Sequence, residues 1–230
     1  MINPIGNIKE MKKIESVFLD MDGVIYDSMP YHAKSWQQAF AENGINYPLI
    51  ESYINEGRKG DGVIKIAFKN QYNRLPTQEE IVKIYDRKTQ IMSALPPPIC
   101  FEGTRDFIFY LKEKNIKIIV VTGSKQPSLI ERLSTDFGIS TMEIVSGQDV
   151  DNEKPHPEPY LKAINKSGSL PNNCIVIENA PLGIISAKKA GLHTIAVKTG
   201  LIENADLIKA GADKVLNDTI ELIKAFETLR

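Results

Sequence analysis

Two aspartates stand two positions apart in FLDMDGVIYDS: Asp20 and Asp22 close an apolar run and precede Gly23. Alternate residues of an extended chain share a face. Both carboxylates therefore enter the crevice beyond the carboxyl edge of a sheet, where open α/β sheets bind ligands. Adjacent carboxylates repel and favour a cation between them, and oxygen donors of this kind suit Mg2+. A D-x-D can be an ordinary turn, but the end of an apolar strand is a place for chemistry. Three more strand ends carry polar residues. KIIVVTGS closes on Thr122, Gly123 and Ser124, a hydroxyl with backbone N–H groups ahead of a helix, which can seat a phosphate. Lys154 stands in the Pro-stiffened NEKPHPEPY, and CIVIENAPLG ends on the oxygen donors Glu178 and Asn179. Singly, each has a plain alternative: a helix cap for Thr122 or Asn179, a solvated head for Lys154.

A fifth stretch, INEGRKGDG at 54–62, puts Glu56 and Asp61, Arg58 and Lys59, and three glycines into nine residues. An isolated charge run of this kind is usually a solvated turn. Farther on, Tyr85 and Lys88 in EEIVKIYDRKTQ are three apart and so share a helix face. Tyrosine there is more often core and lysine more often solvated. His32 and Trp36 share another helix face, His156 shapes its proline-rich loop, and His193 begins a strand with no acidic neighbour in the sequence.

The elements that must position these residues are short β-rich runs: SVFLDM (16–21), KIIVVTG (117–123), MEIVSG (142–147), NCIVIEN (173–179) and HTIAVKTG (193–200). They suit strands buried on both faces of a parallel sheet. TRDFIFYLKEKN, SLIERLSTDFG and LGIISAKKAG between them have the three-and-four spacing of crossover helices. The fold expected is α/β, a Rossmann-like doubly wound parallel sheet. One long interruption, with helical periodicity in KSWQQAFAENG, GVIKIAFKNQY and QEEIVKIYDRKTQIM, leaves through the Pro-rich SALPPPICFEG, a stiff hinge. The expected organisation is a core of 1–27 and 103–230 with an inserted helical domain, 28–102, able to close over the sheet.

Composition excludes several classes. A chain of 230 residues, 42% hydrophobic and 25% charged, has material for a real core. Its 28 basic and 29 acidic residues give a net charge of −1, without the basic field that nucleic-acid binding favours. Cys100 and Cys174 are the two cysteines, too few for a disulfide framework or a cysteine metal site. MINPIGNIKEMKKIE has no signal-peptide apolar core, and no apolar run reaches membrane-spanning length. A cytoplasmic protein that does not engage a membrane is expected.

Taken together, DMDGVIYDS, VVTGS, EKPHPEPY and VIENAPLGIISAKKAG resemble, in order, the four motifs of the haloacid dehalogenase superfamily of phosphotransferases. The helical interruption resembles that family's small helical cap, as in its phosphatases and β-phosphoglucomutases. The resemblance implies that Asp20 is the nucleophile and takes up the phosphoryl group as an aspartyl-phosphate. Asp22 is then general acid and afterwards base, with its backbone carbonyl on the metal. Thr122 and Lys154, with Gly123 and Ser124, hold the transferred phosphoryl oxygens, and Mg2+ is the cofactor. An Asp at position 22 argues for phosphoryl transfer over dehalogenation. His32 and Trp36 resemble the first cap helix of β-phosphoglucomutases, where the histidine assists the acid–base aspartate; phosphatases share the pattern.

The fourth motif departs from its relatives. An acidic pair is usual there, whereas this chain has Glu178-Asn179, and asparagine offers a carbonyl oxygen without charge. Either the site is weakened, as in a non-catalytic phosphate-binding protein, or another carboxylate supplies the charge. In similar capped enzymes the stretch matching INEGRKGDG is a specificity loop that enters the site. Glu56 would then join Asp20, Asp22, Asn179 and Glu178 as the metal set, an arrangement resembling the family's inorganic-pyrophosphatase branch. Arg58, Lys59, Tyr85 and Lys88 would neutralise or hold a compact leaving group. The expectation is a monomeric, Mg2+-dependent phosphohydrolase of pyrophosphate or another small phosphorylated substrate, with no nucleic acid or membrane partner. A sugar-phosphate phosphatase or a β-phosphoglucomutase is the enzymatic alternative.

Overall fold

The computed structural model describes residues 13–124 and 127–229. Expectations for the first twelve residues, including the absence of a signal-peptide core, lie outside the described part. Strand β1 (Ser16–Leu19) opens the sheet and β2 (Lys117–Val121) lies beside it. Next come β3 (Ile144–Val145), β4 (Cys174–Glu178), β5 (His193–Val197) and β6 (Lys214–Leu216). All pair parallel, in the order β3-β2-β1-β4-β5-β6. The expected doubly wound sheet is present.

Alternate residues explain why these runs are almost wholly apolar. Val17, Leu19, Ile118, Val120, Ile175 and Ile177 pack on one side against Phe107, Leu111, Leu133 and Phe226. Phe18, Ile119, Val121 and Val176 pack on the other against Tyr160, Ala163, Ala187 and Leu192. A strand with both faces buried has no place for a polar residue until it ends.

That strand order reverses direction at β1, because the chain winds from β1 through β2 to β3 and then returns to β4 on the other side. The crevice between the carboxyl ends of β1 and β4 is the switch point where such sheets bind ligands. Register brings the pieces level. Leu19 faces both Val120 and Ile177, and the Asp20 N–H continues the ladder to the Ile177 carbonyl at 3.1 Å. Asp20 therefore emerges beside Glu178 and one step before Thr122.

Between β1 and β2 lie α1 (Met29–Ala41), α2 (Leu49–Ile54), α3 (Gly60–Tyr72) and α4 (Gln78–Ser93), then α5 (Glu102–Glu113) on the sheet. The inserted helices have an apolar cluster of their own, around Trp36, Phe40, Tyr47, Ile64, Phe68, Ile84 and Ile91. Their entry and exit are zipped together: Asp27 N–H donates to the Ile99 carbonyl at 2.8 Å and Phe101 N–H to that of Ile25 at 3.0 Å. A second contact closes the insertion on the sheet, where Met29, Ala33 and Tyr53 meet Ile184, Ala196 and Leu207.

Helices α6 (Pro127–Phe137), α7 (Glu158–Ser167), α8 (Pro181–Lys189), α9 (Asn204–Lys209) and α10 (Leu222–Glu227) complete the layers. Strand three is shorter than the run MEIVSG, because Ser140 and Glu143 cap one another in a tight turn before it. The expectation that His193 lacks an acidic neighbour is corrected: Asp213 stands 3.6 Å from its Nδ1. That neighbour is brought in by the chain returning toward β6. No helix among the described residues is long and apolar enough to cross a membrane.

Candidate active site

At the switch point Asp20 is 4% exposed, and its Oδ1 accepts from the Lys154 ammonium. The same ammonium donates to Glu178 Oε1 at 2.7 Å and to the Val121 carbonyl at 3.1 Å. Its three donors are then all used. Burial opposes the charge on Lys154, but Asp20 and Glu178 outweigh it and hold the ammonium above its ordinary range. Burial pushes Asp20 up to about 8, with Glu178 and Asp22 adding to the rise and Lys154 working against it.

Glu178 is engaged from behind. Tyr160, on the first turn of α7, donates its hydroxyl to Glu178 Oε1 at 2.6 Å, and the Asn179 N–H reaches Oε2 at 3.2 Å. Glu178 thus orients Lys154 and stays off the cavity lining. Sequence reading missed Tyr160, although it ends the quoted KPHPEPY motif.

Asp22 carries a different set. Ser28 donates to its Oδ1 at 2.6 Å, and His32 Nε2 lies 3.0 Å from the same oxygen. His32 Nδ1 is in turn 3.0 Å from Lys88 Nζ. An ammonium has no acceptor, so Nδ1 must accept, and the neutral ring carries its proton on Nε2 and donates it to Asp22. Burial would lift Asp22, yet His32, Ser28 and Lys88 overcome it and hold the carboxyl below its usual range. Burial and Lys88 lower His32, and burial brings Lys88 down to about 8. Thr122 sits beside this set, its Oγ1 3.4 Å from Asp22 Oδ2 and accepting from the Ser124 N–H at 2.9 Å.

INEGRKGDG is not a solvated turn. Glu56 is 8% exposed, and its Oε1 accepts from Asn179 Nδ2 at 2.9 Å. A Cβ on Gly23, whose φ is +78°, would fall 2.1 Å from that amide nitrogen. Only glycine lets the two side chains meet there. Burial, and then Asp20, drives the Glu56 carboxyl well above its usual range. One oxygen of each side chain of this pair, Glu56 Oε2 and Asn179 Oδ1, is buried without a hydrogen-bond partner. Orphaned buried acceptors beside two aspartates fit a hard divalent cation, whose ligands are oxygens. Among the described residues no three His, Cys, Asp or Glu side chains converge as a ready-made cage, so the fit depends on Asn179 and on main-chain or phosphate oxygens.

Under the insertion lies a cavity of about 70 Å3, lined by Asp20, Asp22, Glu56, Arg58, Tyr85 and Lys88 among others. Gly123 and Ser124 reach it from β2. Of the four expected cap residues, three line it. Lys59 does not: its ammonium donates to the Val150 carbonyl at 2.7 Å. Tyr47 and Ser52 also line the wall, polar residues that no sequence motif singled out, as does Asn55 of INEGRKGDG.

Residues 17–197 match the haloacid dehalogenase-like hydrolase family. A solved structure from Bacteroides vulgatus, provisionally named a β-phosphoglucomutase, superposes with a TM-score of 0.90 at 38% identity, covering 94% of this chain and 89% of that one. A phosphorylated carbohydrates phosphatase of Thermotoga maritima is 27% identical, over 86% of this chain and 92% of its own. A protein of Caldanaerobacter subterraneus subsp. tengcongensis, provisionally named a pyrophosphatase, is also 27% identical, over 92% and 94%. With its sheet order, its strand-end residues and these similarities in agreement, the chain belongs to the haloacid dehalogenase-like hydrolase family, on the side populated by phosphatases and phosphoglucomutases.

Proposed function

We propose that the protein is an Mg2+-dependent phosphohydrolase that cleaves inorganic pyrophosphate through a phosphoryl group carried on Asp20. The observation that carries the reading is the Glu56–Asn179 contact over Asp20. A carboxylate brought by the insertion restores the charge that asparagine lacks, and it holds the helices close to the phosphoryl site. The small cavity agrees: about 70 Å3 is far below the roughly 300–1,000 Å3 of ordinary small-molecule pockets. Residues 28–102 would act as the cap.

Asp20 attacks the proximal phosphorus, and Lys154 transfers part of its hydrogen bonding from Asp20 to the phosphoryl oxygens, joined by Thr122 and the Gly123 and Ser124 backbone. Arg58, Tyr85 and Lys88 face the second phosphate. Bound Mg2+ would supply charge neutralisation between Asp20 and the incoming anion; Asp20, Asn179, Glu56 and the Asp22 carbonyl would hold it. Asp22, kept ionised by His32 and Ser28, suits a leaving phosphate that departs without a donated proton. It then takes the proton of the water that cleaves the acyl phosphate. The His32–Asp22 contact and the named relatives keep sugar-phosphate hydrolysis or phosphoglucomutase activity as the second reading.

Phosphate release from pyrophosphate tests the proposal: it should require Mg2+, stop with chelator, and vanish in Asp20→Asn. Release that survives Asp20→Asn would sink the aspartyl-phosphate route.

A further inference from the structure

The loop that carries Glu56 is fastened by residues that none of these steps uses. Glu153, the neighbour of Lys154, turns its carboxylate toward the insertion. Its Oε2 accepts from the Lys59 backbone N–H at 2.7 Å, and its Oε1 stands 3.6 Å from the Arg58 guanidinium. Lys59 is the N-cap of α3, a helix of 13 residues, so the carboxylate meets the positive end of that helix. A Cβ on Gly62 would come within 2.5 Å of Glu153 Oε1, so a side chain there would push that carboxylate aside. The Lys59 side chain runs the other way, to the Val150 carbonyl at 2.7 Å. These two ties join residues 94 and 91 positions apart in the chain, and both link the insertion to the core loop that delivers Lys154. Between them Gly57, with φ +90°, lies so close that a Cβ would stand 2.8 Å from the Lys154 side chain.

We propose that Glu153 and Lys59 are positioning residues, a two-armed latch that fixes residues 55–60 over the strand ends and so sets Glu56 against Asn179 and Arg58 at the cavity. Lys59 takes no part in binding substrate. The inference rests on the reading that this loop completes the site, but not on pyrophosphate being the substrate. Because the latch seats Glu56 and Arg58 together, loosening it lowers kcat/KM for every phosphate compound the protein cleaves, and most for pyrophosphate. A ligand of the second phosphate would instead affect pyrophosphate alone.

Amide hydrogen exchange on the full-length, ligand-free protein reads the latch without any substrate. Glu153→Ala and Lys59→Met should speed exchange across 55–62 roughly tenfold while β1 and β4 stay protected. Glu153→Gln, which keeps an acceptor for the Lys59 N–H, should fall between. In parallel, kcat/KM should drop for both pyrophosphate and p-nitrophenyl phosphate, or for any two phosphate compounds the protein cleaves. Unchanged exchange at 55–62 in Lys59→Met overturns the latch, as does a loss confined to pyrophosphate. If Glu153→Ala fails to fold, which faster exchange in β1 would reveal, Lys59→Met decides. Equal exchange effects in a protein that ignores pyrophosphate would keep the latch and discard only the substrate.

Discussion

Glu56 and Asn179 form the contact on which the proposed chemistry turns, and two predictions belong to it. Glu56→Ala should raise the Mg2+ concentration needed for half-maximal activity about 10- to 100-fold, the range seen when groups around a metal site are lost. Asn179→Asp should tighten Mg2+ binding but destabilise the chelated protein, because Glu56 Oε1 exchanges an N–H donor for a like charge. Calorimetric Mg2+ titration and thermal melts check both. Protons give a third. In chelated protein, Asp20 keeps its proton up to about 8 against an ordinary 3.8. The folded state then binds more protons than the unfolded chain, and stability falls as pH rises through that window. A cation competes with the proton, so the Mg2+-induced rise in Tm should grow from pH 5 to 8 and then level. Lys88, lowered to about 8, loses its charge above that pH. The KM for pyrophosphate should climb there in wild type, whereas in Lys88→Gln it should be high throughout and lack that rise.

Among the elements, the ends of β1, β2 and β4 were legible because a run buried on both faces turns polar only where it stops. Asp20, Thr122 and Glu178 announce themselves in this way. Tyr160, Ser28 and Glu153 did not, since each acts on a partner that only folding brings near. Arg58 and Lys59 were legible as charges but not in direction: one lines the cavity and the other ties to Val150. Strand β6 escaped notice because KVL is three residues at the sheet edge, two of them half-buried. α2 escaped because its six residues show too little periodicity. Gly23 is the element-level test. Gly23→Ala should cost roughly 1–2 kcal/mol for its left-handed backbone and lose activity besides, since the new methyl displaces Asn179; denaturant unfolding and phosphate release measure the two effects separately.

For the whole molecule, the proposed reading gives the chemistry to the switch point of the parallel sheet and substrate selection to the inserted helices. Arg132 on α6 grips both connections, donating to the Pro98 carbonyl at 2.7 Å and stacking 4.5 Å over the Tyr26 ring, so entry and exit of the insertion are tied to the core. The central claim is that a carboxylate delivered by those helices makes pyrophosphate the substrate. The most direct measurement is kcat/KM for pyrophosphate against glucose 1-phosphate, glucose 6-phosphate and hexitol phosphates in saturating Mg2+, for wild type and Glu56→Ala. The account predicts a strong wild-type preference for pyrophosphate that collapses in Glu56→Ala. A preference for a sugar ester, or a pyrophosphate preference untouched by losing Glu56, would contradict it.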